Sequence, residues 1–349
     1  SDANSSAVKY RTSGTVVIES TGTAFLAAPT IKSHTFDGNS SVRIGATTNT
    51  SAVTVNGTAD AVGSYVVYGN AITQNAPVTT TTGNITIDAG GSVSTTGALD
   101  AAGGLYITGA TSLESTAAWT TNTNLGVQAS GLISTSNIAP ITVKTGFLKL
   151  NSTGSTVSIG AATTIPGDVT LIGTGVTTTG AIESKNGLVS VTASTGALSV
   201  GATLKAATSV TLLANTSVTT TAALTATAGA VSVTATTTSV SLGSAVNAGT
   251  SLTVTPKTTY VGAGALTASG GTLTISGGSS VDPTGAITAT GNILLSGSGQ
   301  ISTATNAVID SSAGSVQITS TGANVALGKA VDAETSLFRR MAHTPVRVC

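Results

Sequence analysis

A short strand-like piece recurs along this chain about every 21 residues, a period typical of stacked repeat architectures. Each piece places a small polar residue between two apolar residues, which is the period-two pattern of a half-buried strand. A strand this short cannot form a sheet within its own repeat, so it must pair with its equivalent one repeat away. The pattern therefore predicts an all-β fold, a parallel β-helix or β-solenoid with coils of about 21 residues. Four consecutive examples are Val210-Thr211-Leu212, Val231-Ser232-Val233, Leu252-Thr253-Val254 and Leu273-Thr274-Ile275.

Two series of such pieces can be followed, which predicts at least two strands in each coil. Members of the first series begin at Ile85, Leu105, Leu125, Leu148, Val169, Val189, Val210, Val231, Leu252, Leu273, Ile293 and Val316. Members of the second begin at Val93, Leu132, Val157, Val176, Leu198, Val218, Val240, Val261, Val281, Ile301 and Val325. A longer pattern, carried by Val157-Ser158-Ile159-Gly160 and its equivalents about 42 residues apart, predicts a two-coil structural unit.

These series divide the chain into three parts. Residues 83–337 form the regular solenoid. Residues 1–82 repeat less clearly and hold several aromatic residues, so we expect the first irregular coils and a cap in which bulky side chains plug the open end. A separate small β domain is the alternative for that part. Residues 338–349 break the repeat, and atypical capping segments are therefore expected at both ends.

The final segment concentrates side chains that are rare elsewhere in the chain. It carries three of the five arginines and the single methionine. One interpretation is a cap that blunts the sheet edge with arginine and proline. The other is a segment that joins one subunit to the next, in which Cys349 forms an intermolecular bond or remains a free thiol. Its candidate joining residues are Phe338, Arg339, Arg340, Met341 and Cys349.

Composition excludes several classes of protein. Charged residues make up 7% and aromatic residues 3% of the chain, which favours a slim aliphatic column over a wide globular core. The net charge of zero excludes a basic nucleic-acid footprint, and no apolar run is long enough for a membrane-spanning helix. An outer-membrane barrel is a less favoured alternative, because the alternating pieces are shorter than barrel strands and the few aromatic residues are not paired at strand ends. A hydrophobic content of 40% argues against disorder. The chain shows no signal peptide, and we expect a mature secreted protein.

No residue pattern indicates an enzyme, a metal site or a cofactor. The acidic residues are scattered along the chain. His34 and Asp37 are one candidate for a catalytic pair, but the favoured interpretation is that His34 is an ordinary surface histidine. Cysteine and histidine are too few for zinc. The threonine runs Thr177–Thr179, Thr219–Thr221 and Thr236–Thr238 raise the possibility of flat ice-binding ladders, against the plain alternative that threonine suits an exposed strand.

Three pieces follow a shared pattern, namely Gly, any residue, then alternating aliphatic residues ending in Ala or Ser. They are Gly83–Ala89, Gly187–Ala193 and Gly314–Ser320. Over roughly residues 83–330 this pattern resembles the repeats of filamentous-haemagglutinin-type secreted β-helix adhesins. That resemblance implies a right-handed parallel β-helix, export to the cell surface, and a role in adhesion or in extracellular fibres. The Asn-Pro motifs of that family's secretion domain are missing here.

Two functions are therefore expected. The first is a structural subunit of an extracellular filament, sheath or surface layer, which assembles head to tail with copies of itself through its solenoid ends. The second is an adhesin or fibre-shaft module that binds a surface glycan, with ice binding by threonine ladders less favoured. Neither requires nucleic acid, a membrane span or a cofactor.

Overall fold

The computed structural model describes residues 41–48, 52–303 and 307–340, together with the backbone of four strands between residues 9 and 39. The chain divides into two compact units, Ser1–Ile182 and Glu183–Cys349. In both units every regular element of the described residues is a β-strand. The strands within each unit pair in parallel and form three sheets, which we name A, B and C.

The first unit contains eight strands in each sheet. Sheet A contains β1 (Lys9–Tyr10), β4 (Thr35–Asn39), β7 (Ala59–Ala61), β10 (Val78–Thr80), β13 (Leu99–Ala101), β16 (Trp119–Thr121), β19 (Ile141–Val143) and β22 (Thr163–Ile165). Sheet B contains β2 (Thr15–Ile18), β5 (Ser41–Ile44), β8 (Tyr65–Gly69), β11 (Ile85–Ala89), β14 (Leu105–Ala110), β17 (Leu125–Ala129), β20 (Leu148–Ser152) and β23 (Val169–Gly173). Sheet C contains β3 (Thr30–Ile31), β6 (Val53–Val55), β9 (Ile72–Gln74), β12 (Ser92–Thr95), β15 (Ser112–Ser115), β18 (Ile133–Thr135), β21 (Val157–Ile159) and β24 (Val176–Thr178).

The second unit repeats this arrangement. Its sheet A contains β25 (Ile182–Ser184), β28 (Leu204–Ala206), β31 (Leu224–Ala226), β34 (Val246–Ala248), β37 (Leu266–Ala268), β40 (Ile287–Ala289), β43 (Ile309–Ser311) and β46 (Val331–Ala333). Sheet B contains β26 (Val189–Ala193), β29 (Val210–Ala214), β32 (Val231–Ala235), β35 (Leu252–Thr255), β38 (Leu273–Ser276), β41 (Ile293–Gly297), β44 (Val316–Ser320) and β47 (Leu337–Arg340). Sheet C contains β27 (Leu198–Val200), β30 (Val218–Thr220), β33 (Val240–Leu242), β36 (Thr259–Gly262), β39 (Ser280–Pro283), β42 (Gln300–Ser302) and β45 (Val325–Ala326).

The predicted solenoid with coils of about 21 residues is confirmed. Each strand pairs with the strand one coil further along, as Val189 does with Val210 and Val210 with Val231. Every member of the first predicted series starts a strand of sheet B. The quoted Gly-led pieces fall on the same sheet, because each supplies a two-residue corner followed by a five-residue strand, for example Gly187–Ala193 around β26.

The prediction of at least two strands in each coil is confirmed, and each complete coil has three. The third strand belongs to sheet A, whose short strands often carry alanine at the second inward position, as in Leu224–Ala226. One detail of the sequence prediction is wrong. Two members of the second series are displaced by one residue, since Ile133 and Tyr260 occupy the buried positions instead of Leu132 and Val261.

The predicted two-coil unit is present as an alternation of side chains in sheet C, although the strands themselves pair coil by coil. The 42-residue pattern comes from the third position of each sheet C strand, which faces the core. There an aliphatic residue in one coil alternates with a buried threonine in the next, as in Val200, Thr220 and Leu242. The sequence alternation therefore records packing inside a one-coil repeat.

The core is a narrow column of aliphatic side chains with aromatic residues placed along it. Tyr65 and Trp119 are both buried within the coils of the first unit. Trp119 donates a hydrogen bond from its indole Nε1 to Thr95 Oγ1 of the preceding coil at 3.2 Å. These two large aromatic side chains thus pack inside the coils, whereas Tyr10, Phe25 and Phe36 lie outside the residues whose side chains are described.

Buried hydroxyl groups at strand ends hold the corners in place. Ser311 donates to the carbonyl of Gly291 in the preceding coil at 2.8 Å and accepts from the amide of Gly314 in its own corner at 3.1 Å. Ser320 makes the corresponding bonds to Gly299 and Ala323. Because a buried backbone group without a partner destabilises the fold, these hydroxyls explain why serine and threonine enter the core.

Candidate functional site

The described acidic side chains lie on the outer faces of the solenoid. Over residues 41–48, 52–303 and 307–340, no group of three or more His, Cys, Asp or Glu side chains is close enough to hold a metal ion. Asp310 and Asp332 face outward on neighbouring strands of sheet A. The side chains of His34 and Asp37 lie outside the described residues. The candidate surfaces are therefore the last coil and the outer faces.

The last described coil leaves the end of the aliphatic column uncovered on one side. Leu337 lies in register with buried Val316, so its side chain continues the core, yet it is 52% exposed. Val331 continues the column of Ile309 in sheet A and is half-buried. A half-exposed apolar side chain at a core position gives only part of the stabilisation of full burial, and packing against a further coil would supply the rest. This end has the character of an interface.

Among the described residues, β45 is the last strand of sheet C. In β45 the carbonyls of Asn324 and Ala326 accept hydrogen bonds from Ile301 and Thr303 of the preceding coil, at 3.1 and 2.9 Å. Alternate residues of a parallel strand bond to opposite neighbours, so the carbonyl of Val325 points away from that coil. This carbonyl is the acceptor for a backbone hydrogen bond from the N–H group of a following coil.

The side chain of Arg339 occupies this acceptor. It lies in register with Ile318, a fully buried core residue, so an arginine stands at an inward position. Its guanidinium Nη2 crosses the end of the column and donates to the carbonyl oxygen of Val325. Val325 is 4% exposed, in contrast to the half-exposed Leu337 on the other sheet. Arg339 thus covers the sheet C side of the end.

The other predicted joining residues divide between the outer face and the part outside the described residues. Phe338 and Arg340 lie in register with Gln317 and Thr319 on the outer face of sheet B, and Phe338 is 63% exposed. Residues 338–340 form part of β47 and continue sheet B. Met341 and Cys349 lie outside the described residues.

The outer face of sheet B in the second unit carries an ordered array of hydroxyl groups. In β26, β29, β32, β35 and β38 every outward position is Ser or Thr except Leu213. Neighbouring coils place these side chains about 4.8 Å apart, and alternate residues of one strand place them about 6.7 Å apart. The sequence analysis missed this array, although it follows directly from the residues one and three places after each first-series start. Its members are Ser190, Thr192, Thr211, Ser232, Thr234, Thr253, Thr255, Thr274 and Ser276.

The threonine runs singled out in the sequence do not form flat ladders. Thr178 and Thr220, the middle residues of two runs, are buried and face the core. Their neighbours face outward because strand side chains alternate. Residues 236–238 lie in a corner beyond the end of β32. A run of three threonines in one strand cannot share one face, so the structural ladder comes from Thr-x-Thr spacing.

An open groove of about 490 Å³ borders the hydroxyl array at the corner between sheets B and C. Hydroxyl groups from neighbouring coils and the exposed cation of Lys257 line it. Gly277 and Gly278 turn the corner there with φ of 103° and 84°, a conformation that side chains other than glycine rarely adopt. The hydroxyl-bearing lining residues are Thr255, Ser296, Ser298, Thr319 and Thr321.

Comparison with protein families, curated proteins and solved structures finds no match to this chain. In the described part of the chain, no helix is long and apolar enough to cross a membrane. Function is therefore inferred from the chemistry of these surfaces.

Proposed function

We propose that this protein is a structural subunit of an extracellular filament, sheath or surface layer, and that it assembles end to end with copies of itself. The observation that carries the proposal is the last coil, where Leu337 continues the core but remains half exposed beside a free sheet edge. A second copy can cover both the apolar side chain and the unpaired backbone groups, as edge strands do when they pair between chains.

The proposal places the protein outside the cell, because its repeats resemble those of filamentous-haemagglutinin-type secreted β-helix proteins. The three pieces that carry this resemblance fall on strands of sheet B. Recovery of the protein from the culture medium, or its digestion by protease added to intact cells, is the expected result. Retention inside intact cells would contradict this placement.

Assembly is tested on purified protein at increasing concentration. Sedimentation velocity and negative-stain microscopy should show a growing population of end-to-end filaments. Deleting residues 338–349 removes most of β47 and its outer side chains, and it should abolish the filaments. Uniform monomers at every soluble concentration would refute the proposal. Unchanged filaments after the deletion would show that another surface joins the subunits.

A second candidate function is glycan binding on the outer face of sheet B in the second unit. The hydroxyl array and the neighbouring groove with Lys257 favour it, since hydroxyls at a fixed spacing can hydrogen-bond along a repeating sugar chain.

The double variant T253V/T274V removes two array hydroxyls and keeps side-chain shape. The matched variant T225V/T267V makes the same change on half-buried outward positions of sheet A. Selective loss of binding to a polysaccharide array by the first variant supports this function. Loss of ice-growth inhibition instead would identify an ice surface. Equal behaviour of both variants would exclude the array as the binding face.

A further inference from the structure

We propose that Arg339 is a blocking residue, which limits the end-to-end association of this chain at the C-terminal end of the second unit. The inference rests on the proposed function, because it concerns access to the same end. It also changes the role expected for Arg339 from a residue that joins subunits to one that holds them apart.

The position of Arg339 in the core column is the first argument. The residues that precede it in register are Leu295 and Ile318, both fully buried. A following coil would therefore have to bury a guanidinium in an aliphatic column, and removing that charged group from water is unfavourable. The arginine thus opposes direct continuation of the core.

The hydrogen bond to Val325 is the second argument. The carbonyl of Val325 is the acceptor that β45 offers to an added strand, because its neighbours Asn324 and Ala326 are already bonded to the preceding coil. A second copy must displace the guanidinium before it can extend sheet C. Sheet B offers no comparable obstacle beside Leu337, which is 52% exposed. At this end, Arg339 therefore hinders the addition of a strand to sheet C but not to sheet B.

Such a partial block fits the general need to protect free sheet edges. Natural proteins place charged residues at edges, including inward-pointing ones, to prevent uncontrolled pairing. Here the charged Arg339 lies on the same strand as the exposed Phe338. The strand therefore combines an apolar side chain that favours association with a charged one that opposes it. Association would then begin only above a threshold concentration of subunits.

The experiment compares the full chain with R339L and R340L. R339L continues the column of Leu295 and Ile318, whereas R340L places the same apolar side chain on the outer face of the same strand. The concentration at which assemblies first form is measured by sedimentation velocity, and their end-to-end geometry by negative-stain microscopy. Circular dichroism melting verifies that both variants are folded.

R339L should assemble at a concentration up to about fivefold lower than the unaltered chain, the range expected when an exposed charged contact no longer has to be broken. R340L should match the unaltered chain. Weaker assembly of R339L would show that Arg339 joins subunits, which overturns the inference and leaves the proposed function standing. An equal gain in both variants, or no change in R339L, also overturns it. Absence of assembly in all three proteins would refute the inference and the proposed function together.

Discussion

Two buried tyrosines show how a polar atom inside the column depends on its neighbours. Tyr65 donates a hydrogen bond to Gln74 Oε1 at 2.9 Å, and the Gln74 amide donates to the carbonyl of Ala76 at 2.7 Å. The hydroxyl of Tyr260 has no hydrogen-bond partner among the described residues. Burial raises the pKa of both phenols, so both remain protonated at neutral pH.

Removing the two hydroxyl groups should therefore have different effects. Y65F leaves Gln74 Oε1 buried without its donor and should lower the free energy of unfolding by about 1–3 kcal/mol. Y260F removes a group that was already unsatisfied and should leave stability unchanged or raise it by about 1 kcal/mol. Urea unfolding of both variants measures the difference, and equal losses would contradict the assigned hydrogen bonds.

Gly262 has to lack a side chain because of Tyr260. The tyrosine lies over the second inward position of its own strand, where a Cβ on Gly262 would be 1.9 Å from the phenol oxygen. G262A should therefore destabilise the protein by about 1–3 kcal/mol, as overpacking of a core does. The double variant Y260V/G262A should recover most of the loss, because the adjacent coil already has Val240 at the equivalent position. Thermal melting of the two variants tests this, and an additive loss in the double variant would contradict it.

At the scale of elements, an ion pair links neighbouring strands on the outer face. Lys205 Nζ lies 2.9 Å from Glu183 Oε1, and this hydrogen bond lowers the pKa of Glu183. A carboxyl group whose pKa is lowered by folding stabilises the folded state at pH values above the pKa of the unfolded chain. This contribution is lost as the pH falls through the pKa of the folded state.

E183Q should thus lower stability at pH 7 by at most about 0.5 kcal/mol, because both side chains are largely solvated. The difference between E183Q and the unaltered chain should disappear below pH about 3. Unfolding curves at the two pH values measure it. A difference that persists in acid would show that the amide disturbs packing instead of the ion pair.

The coil is the element that can be repeated. Val189, Leu198 and Leu204 each pair with their equivalents about one coil further on, at Val210, Val218 and Leu224. Duplicating residues 189–209 should therefore add one coil and keep or raise the melting temperature, since solenoid stability is roughly a sum over repeats and their interfaces.

Duplicating residues 189–198 serves as the matched control for that insertion. It adds a sheet B strand and a corner without completing the coil, so the following strands no longer lie beside their equivalents in the same sheet. We expect a lower melting temperature and a weaker strand signal in circular dichroism. If both insertions behave alike, stacking of whole coils is not what stabilises the second unit.

At the scale of the whole molecule, net charge should have little influence on assembly. The chain has 13 basic and 13 acidic residues and a formal net charge of zero. Copies therefore experience little long-range repulsion, and the apolar end and free backbone groups should dominate their association.

Assembly should accordingly change by less than about threefold in threshold concentration between 0.05 and 0.5 M salt, a range over which exposed charge contacts are strongly screened. Light scattering across a salt series measures this threshold. A steep dependence would indicate that outer charged residues, and not the open column, make the contact between subunits.

The sequence alone determined the period, the strand class and the starts of the sheet B strands. These strands are long enough to show two inward aliphatic residues at a spacing of two, as Val189 and Val191 do. The sheet A strands were harder to recognise from sequence because they are only three residues long and an alanine such as Ala226 often fills their second inward position, and alanine carries little apolar signal.

Only the tertiary structure decided which side chains face the core at the positions that matter for function. Thr220 points inward while its neighbours point out, Tyr260 instead of Val261 enters the column, and Arg339 stands in the register of Ile318. The physical reason is that a shift of one residue reverses the face of every side chain in a strand. Corner lengths set that register coil by coil, and contacts with the neighbouring coils hold it.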